Sequence, residues 1–321
     1  VPASGFLAAL PDGYFVEEAP RGVLAVHADV ARQLHEAGYG PESDGAMWGA
    51  DVAGRRPLYE LRLGSQRYLV RRFQHGGLMR ALTGRRYLDP DRPFRELVLS
   101  DSLLRLGIPT PRVVAARARS VGVGWELEVM TPRVEDAVDL GEVLGRARRG
   151  EVSTRARRRV LEAFGDLVRR LHLHGLLHAD LQPNNVLVGE ADLTEKAVGP
   201  PALHLLDLDR SGFGEVSSAE RRSQIERLYR HVARVEGRHG TCLSRIDYAR
   251  VFRGYDPERG RWKGDWRAVR ARHALGRGLH GLGHMLERVL AGPRDERRHA
   301  AVTPRAPRAD GPGTSGPTHT K

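Results

Sequence analysis

Apolar residues recur along this chain in two periods, and the switches between them outline its elements. Tyr59-Glu-Leu-Arg-Leu63 and Arg67-Tyr-Leu-Val-Arg-Arg72 alternate apolar with polar around Gly64-Ser65, which predicts a β-hairpin. Trp125-Glu-Leu-Glu-Val-Met130 alternates in the same way and predicts a further strand, with Thr131-Pro-Arg133 as the connection that follows it. Between these, the stretch from Arg92 to Leu106 has helical spacing, opened by Pro93 and closed at Gly107 before Pro109 and Pro111. Leu161, Phe164, Leu167, Val168 and Leu171 mark a second helix, and Gly175 supplies a residue that tolerates a left-handed ending. Val186-Leu-Val188 and Leu203-His-Leu-Leu206 read as two short strands joined by a polar, Gly- and Pro-bearing connection. The segment 292–321 has no apolar period and is rich in Pro, Gly, Thr and Arg, which predicts a disordered tail dispensable for chemistry.

The loop between the second helix and the short strands carries the chemistry. It runs His178-Ala-Asp-Leu-Gln-Pro-Asn-Asn185, and Asp207 ends the second strand within Asp207-Leu-Asp209. In the phosphotransfer pattern H-R-D-L-x-x-x-x-N, the Asp accepts the proton of the attacking hydroxyl and the Asn binds magnesium, as does the Asp of a later D-F-G. Asp180, Asn185 and Asp207 hold those positions, so the expected roles are general base for Asp180 and magnesium ligands for Asn185 and Asp207. Asp and Asn are also common turn residues, and it is the joint occurrence of the three in this order that points to an ATP-dependent phosphotransferase. Asn184 adjoins Asn185, but only Asn185 has the five-residue spacing. His178 is expected to organise the loop backbone.

Such a site needs a strand cation for the ATP phosphates and a Glu on the next helix to pair with it. No lysine precedes Lys196, so arginine must serve. Arg71 sits where the strand cation belongs, and Arg72 falls on the opposite face because strand side chains alternate. Glu96 shares a helix side with Leu99 and Leu103; a carboxylate in that company is costly to bury unpaired, which predicts an ion pair with Arg71. An exposed first-turn Glu favoured by the helix dipole is the competing explanation. Gly45, Gly49 and Gly54 precede the hairpin without forming G-x-G-x-x-G, so Gly54 is an unspecific candidate for covering the nucleotide.

The 321 residues suffice for two lobes with separate cores. No apolar run approaches the ~20 residues that span a bilayer, and the N-terminal stretch, with Asp12, Glu17 and Glu18, lacks the order of a signal peptide, so a cytoplasmic location is expected. The single Cys242 excludes an internal disulfide framework and a multi-cysteine metal site. A formal charge of +12 suits an anionic partner. The basic residues are spread along the chain without a nucleic-acid motif or interleaved aromatics, so nucleic acid is not expected.

With these residues in place the chain resembles the lipopolysaccharide kinase family, and within it the 3-deoxy-D-manno-octulosonic acid (Kdo) kinases. The likeness rests on Val70-Arg-Arg-Phe-Gln-His-Gly-Gly-Leu78, Leu106-Gly-Ile-Pro-Thr-Pro111, the loop from His178 to Asn185, and Leu205-Leu-Asp-Leu-Asp-Arg210. It covers roughly residues 50 to 235, and the helix around Gln224-Ile-Glu-Arg-Leu228 is a looser match. The resemblance implies an α+β, two-lobed protein-kinase-like fold, with a small, mainly antiparallel β N-lobe over residues 1–132 and a larger, mainly α C-lobe over 133–291. It implies ATP and Mg2+ as cofactors, Arg71 on the phosphates with Glu96 as its partner, and the roles already given to Asp180, Asn185 and Asp207. The implied acceptor is the 4-hydroxyl of Kdo on a lipid A precursor, reached by peripheral contact with an anionic membrane at the cytoplasmic face of the inner membrane. Arg80, Arg85 and Arg86 are candidates for touching acceptor or membrane. Gln182 stands where protein kinases often carry a lysine, and Arg210 is a candidate to replace that charge. Heptose kinases, atypical protein or small-molecule kinases, and a non-catalytic binding protein of the same shape remain as alternatives.

Overall fold

The computed structural model describes residues 5–50, 58–74, 86–239 and 243–258, with parts of 263–271. Gly54, Gly76, Gly77, Leu78, Arg80, Arg85, Cys242 and the tail 292–321 lie outside the described residues. The N-terminal part is a seven-stranded antiparallel sheet and the C-terminal part is mainly helical, as expected of the kinase-like fold.

After a short helix α1 (Gly5–Ala8) come β1 (Tyr14–Ala19), β2 (Gly22–His27) and helix α2 (Ala28–Glu36). Next are β3 (Trp48–Gly49), β4 (Leu58–Leu63), β5 (Gln66–Arg72), helix α3 (Arg92–Arg105), β6 (Ala115–Ser120) and β7 (Trp125–Pro132). The sheet order is β1-β2-β6-β7-β5-β4-β3. Alternation sends Leu24, Val26, Val70 and Met130 to one face, under Val30 and Leu34 of α2. It sends Val23, Ala25, Leu127 and Val129 to the other, under Phe94 and Leu97 of α3. Because both faces are covered, β2 is apolar at successive positions instead of alternating.

A buried charge cluster ties this sheet to the loop before β3. Arg117 of β6, 1% exposed, donates to the carbonyl oxygens of Gly40 and Ser43, to Asp44 at 2.6 Å and to Glu128 of β7. Its guanidinium lies 4.3 Å from the Tyr39 ring centroid. A charge buried to this degree persists only when its hydrogen-bonding capacity is met, and here several donors of the fork are used.

The helical part comprises β8 (Ala137–Asp139), α4 (Leu140–Arg148), α5 (Thr154–Leu173), β9 (Leu176–Leu177), β10 (Val186–Gly189), β11 (Leu203–Leu205), β12 (Gly212–Phe213), α6 (Ser218–His239) and α7 (Arg245–Tyr255). Helix α5 is capped by the Ser153 hydroxyl, which accepts from Ala156 N. It buries Val160, Phe164, Leu167, Val168 and Leu171 against Leu103, Ile108, Val186, Val188 and Leu205. Helices α5 and α7 cross backbone to backbone at two glycines. A Cβ on Gly165 would stand 1.9 Å from Val251 O, and one on Gly254 1.9 Å from Glu162 O. No helix among the described residues is long and apolar enough to cross a membrane.

The connection expected at Thr131-Pro-Arg133 begins later. Thr131 and Pro132 still pair with Leu69 and Tyr68 in the sheet, and the turn out of β7 falls at Glu135 and Asp136. Cross-strand pairing with β5 extends the strand beyond the point where alternation with clear polar residues stops.

Candidate active site

Helix α5 ends at Gly175, whose φ of +75° turns the chain toward the loop at His178. His178 is fully buried, and its ring joins the two halves of the site. Asp180 N donates to His178 Nδ1 at 3.2 Å, so the ring proton sits on Nε2, which donates to Leu206 O at 3.0 Å. This pattern requires a neutral imidazole. Burial depresses the His178 pKa below its usual value, outweighing the hydrogen bond to Leu206 and the pull of Asp207 and Asp180.

Leu206 is gripped from its other side as well, because its N–H donates to Asn185 O at 2.8 Å. Asp207 follows directly, with φ +55°, a left-handed backbone that costs energy in a non-glycine residue and that surrounding contacts must hold. Asp180 is exposed. Its carboxylate accepts from Gln182 Nε2 at 2.8 Å, and its backbone carbonyl accepts from Asn185 Nδ2 at 2.8 Å. The structure therefore brings Asp180, Asn185 and Asp207 around one short stretch of backbone.

Strand β5 and helix α3 supply the opposite wall. Arg71 Nη2 donates to both Glu96 oxygens, at 2.6 and 2.5 Å, with side chains only 16% and 6% exposed. Arg71 Nη1 reaches to 3.6 Å from Asp207 Oδ1. Burial alone would weaken the Arg71 charge, but Glu96 and Asp207 reverse that and raise its pKa. Burial pushes the Glu96 carboxyl up, against the opposing pull of Arg71. Arg71 Nη1 and Asp207 Oδ1 are both buried with no hydrogen-bond partner. The two oppositely charged atoms face each other within ion-pair range but too far apart for a hydrogen bond, so each keeps hydrogen-bonding capacity.

Arg72 points to the other face, where it donates to Glu128 at 2.5 Å and Asp44 at 2.9 Å and is part of the buried cluster in the sheet. Arg210 is exposed in the loop after Asp209, with φ +61°. Helix α6 adds two residues that sequence reasoning missed. Gln224, buried, donates to His178 O at 3.1 Å while its Oε1 lies 2.9 Å from His172 Nε2. Arg227 donates to Ala179 O beside Asp180. Nothing in the helical spacing of 224–228 distinguishes these residues from other polar positions on that helix.

A model of the lipopolysaccharide kinase (Kdo/WaaP) family matches residues 50–255. The chain is 27% identical over 251 residues to the 3-deoxy-D-manno-octulosonic acid kinase of Xanthomonas euvesicatoria pv. vesicatoria, spanning 75% of this chain and 92% of that protein. It is 29% identical over 248 residues to the enzyme of the same description from Stenotrophomonas maltophilia, spanning 74% and 91%. With that of Actinobacillus succinogenes the identity is 30% over 193 residues, spanning 58% and 74%. Among solved structures, WaaP in complex with acyl carrier protein matches with a TM-score of 0.53 and 20% identity, over 83% of this chain and 99% of that one, a likeness of fold. A kinase-like fold with a paired strand arginine, combined with a family match across the sheet and the helical part alike, makes this chain an ATP-using phosphotransferase that belongs to the lipopolysaccharide kinase (Kdo/WaaP) family.

Proposed function

We propose that this kinase transfers the γ-phosphate of ATP to the 4-hydroxyl of Kdo on a lipid A precursor. The observation that carries the chemistry is the meeting of Arg71, Glu96 and Asp207, with Asp180 on the loop whose His178 holds Leu206 next to Asp207. The named Kdo kinases among its relatives support the choice of acceptor.

In this reading Asp180 orients the acceptor hydroxyl and takes its proton, and Gln182, bonded to the same carboxylate, limits its rotation. Arg71 keeps its charge because Glu96 and Asp207 hold it, and its second nitrogen is left to bind phosphate oxygen. The residues fit magnesium. Asp207 offers a carboxylate oxygen that accepts no hydrogen bond, and Asn185 uses its amide nitrogen on Asp180 O, which leaves its carbonyl oxygen as a ligand. When bound there, the ion would neutralise charge on the phosphates. His178 and Asn185 fix Leu206 and thereby set Asp207, so positioning supplies much of the acceleration.

Contact with an anionic bilayer belongs to the same proposal. It rests on the net charge of +12, since each basic residue near such a surface contributes about 1 kcal/mol. The test is incubation of labelled ATP and magnesium with three acceptors side by side: a Kdo-bearing lipid A precursor, a heptosylated core and a generic protein. Label on the Kdo-bearing precursor is the expected result. Label only on the heptosylated core would make the enzyme a heptose kinase, and label only on protein would overturn the sugar-lipid assignment.

A further inference from the structure

Asp209 occupies the third position of the Asp207-Leu-Asp209 segment, where the D-F-G pattern has glycine, so this chain carries an extra carboxylate two residues beyond Asp207. That carboxylate is held by Arg92, in the first turn of α3. Arg92 Nη2 donates to both Asp209 oxygens at 2.7 and 2.5 Å, and Nε donates to Oδ1 at 3.2 Å. Each side chain is 13% exposed. The guanidinium also lies 4.6 Å from the Tyr87 ring centroid and 5.5 Å from that of Phe73, whose ring is 4.6 Å from Arg71.

Arg92 and Glu96 stand four residues apart and so share a face of α3. Glu96 takes the strand cation and Arg92 takes the loop anion, while Arg71 and Asp207 close the ring at 3.6 Å. The circuit runs from Arg71 to Glu96, along one turn of helix to Arg92, across to Asp209, and back through Leu208 to Asp207. Leu208, at 3% exposure, anchors the middle of the loop, and Ser211 N donates to Leu208 O at 3.0 Å to close its turn. The left-handed backbone of Asp207 is therefore bracketed by Leu206, fixed by His178 and Asn185, and by the Asp209 bridge.

We propose that Arg92 and Asp209 are a positioning pair that latches helix α3 to the Asp207 loop, so that one helix sets both Arg71 and Asp207 at the distance phosphate transfer needs. Neither residue is required to touch substrate. The inference rests on the phosphotransfer reading of the site, and it is independent of which acceptor is used. A bridge that served stability alone could lie anywhere on α3. Arg95 of the same helix, which pairs with Asp89 just before the helix, both side chains about half exposed, is the natural comparison.

The test is a double-mutant cycle of Arg92→Gln and Asp209→Asn, with Arg95→Gln as control, read by kinetics and by amide hydrogen exchange of the full chain without acceptor. Each single variant is expected to lose ~10²-fold in kcat with little change in the KM of the acceptor, the loss that a displacement of about 1 Å at a reacting group produces. The double variant is expected to lose no more than the worse single one. Exchange at Leu208–Ser211 is expected to speed up in both singles and to stay unchanged in Arg95→Gln. Arg92→Lys, which keeps the charge without the fork, should fall between wild type and Arg92→Gln. Multiplicative losses in the cycle, or unaltered exchange at Leu208–Ser211, would overturn the latch. If the acceptor assignment were wrong, every variant would be silent on Kdo while the exchange pattern still appeared, so the two failures are distinguishable.

Discussion

Arg71 and Arg72 are neighbours in sequence with different partners, because a strand sends them to different faces. Arg71 faces Glu96 and Asp207; Arg72 is held in the sheet by Glu128 and Asp44. Removing Arg71 leaves Glu96 as an uncompensated buried charge, so Arg71→Ala should lose about 3–5 kcal/mol of stability and its activity together. Arg72→Ala should also destabilise, through Glu128, yet keep its turnover at temperatures where it remains folded. Denaturant melts combined with initial rates separate the two, and equal loss of turnover in both variants would contradict the strand register. The Arg71 to Glu96 pair was legible in the sequence because two periodicities, alternation in the strand and helical spacing after Pro93, independently aim those residues inward. Arg227 and Gln224 were not, since their importance comes from where α6 packs and not from any local pattern. The role of Asp209 was hidden for the same reason, its partner Arg92 lying more than a hundred residues away.

At the scale of elements, helices α3 and α5 and the β4–β5 hairpin follow from sequence, while β6 illustrates what does not. Ala-Ala-Arg-Ala-Arg-Ser has weak apolar alternation, and its Arg117 is nonetheless among the most buried side chains. The strand is stabilised by a charge cluster whose other members come from β5, β7 and the loop before β3, which no window of sequence contains. The β1–β2 hairpin and α2, which add two strands and a cover to the sheet, were likewise not anticipated, since β2 is buried on both faces and so lacks a strand's alternation. The crossing of α5 and α7 shows the reverse dependence, in which a single atom decides whether two elements fit. Gly165→Ala should cost about 1–3 kcal/mol or more by forcing the helices apart. Chemical denaturation measures it, and a loss below 0.5 kcal/mol on the same scale as an ordinary surface change would contradict the close crossing.

At the scale of the whole molecule, two buried histidines and a half-buried one tie folding to pH. Burial lowers the pKa of His178, His172 and His204 below the unfolded value of 6.5, so the unfolded chain binds protons more readily in acid. Their contribution is fully present above about pH 6.5 and is lost as the pH falls through the folded-state values. Stability should therefore decline as the pH is lowered from 7 toward 5. The slope should be shallower in His178→Asn, because one of the three groups is removed. A denaturant midpoint that does not change over this range would contradict histidines held neutral by the fold.

The same neutral His178 holds Asp180 and Leu206 in register, so the chemistry of the site rests on the fold around it. In the proposed reaction, Asp180 activates a Kdo hydroxyl for attack on ATP. The most direct measurement is phosphorus–proton correlation NMR of the product formed from a Kdo-bearing lipid A precursor by wild-type enzyme and by Asp180→Asn. One new phosphate coupled to the proton at C4 of Kdo is expected, formed about 10²–10⁴-fold more slowly by Asp180→Asn while the variant remains folded. A phosphate on another sugar, or equal rates from the two proteins, would contradict it.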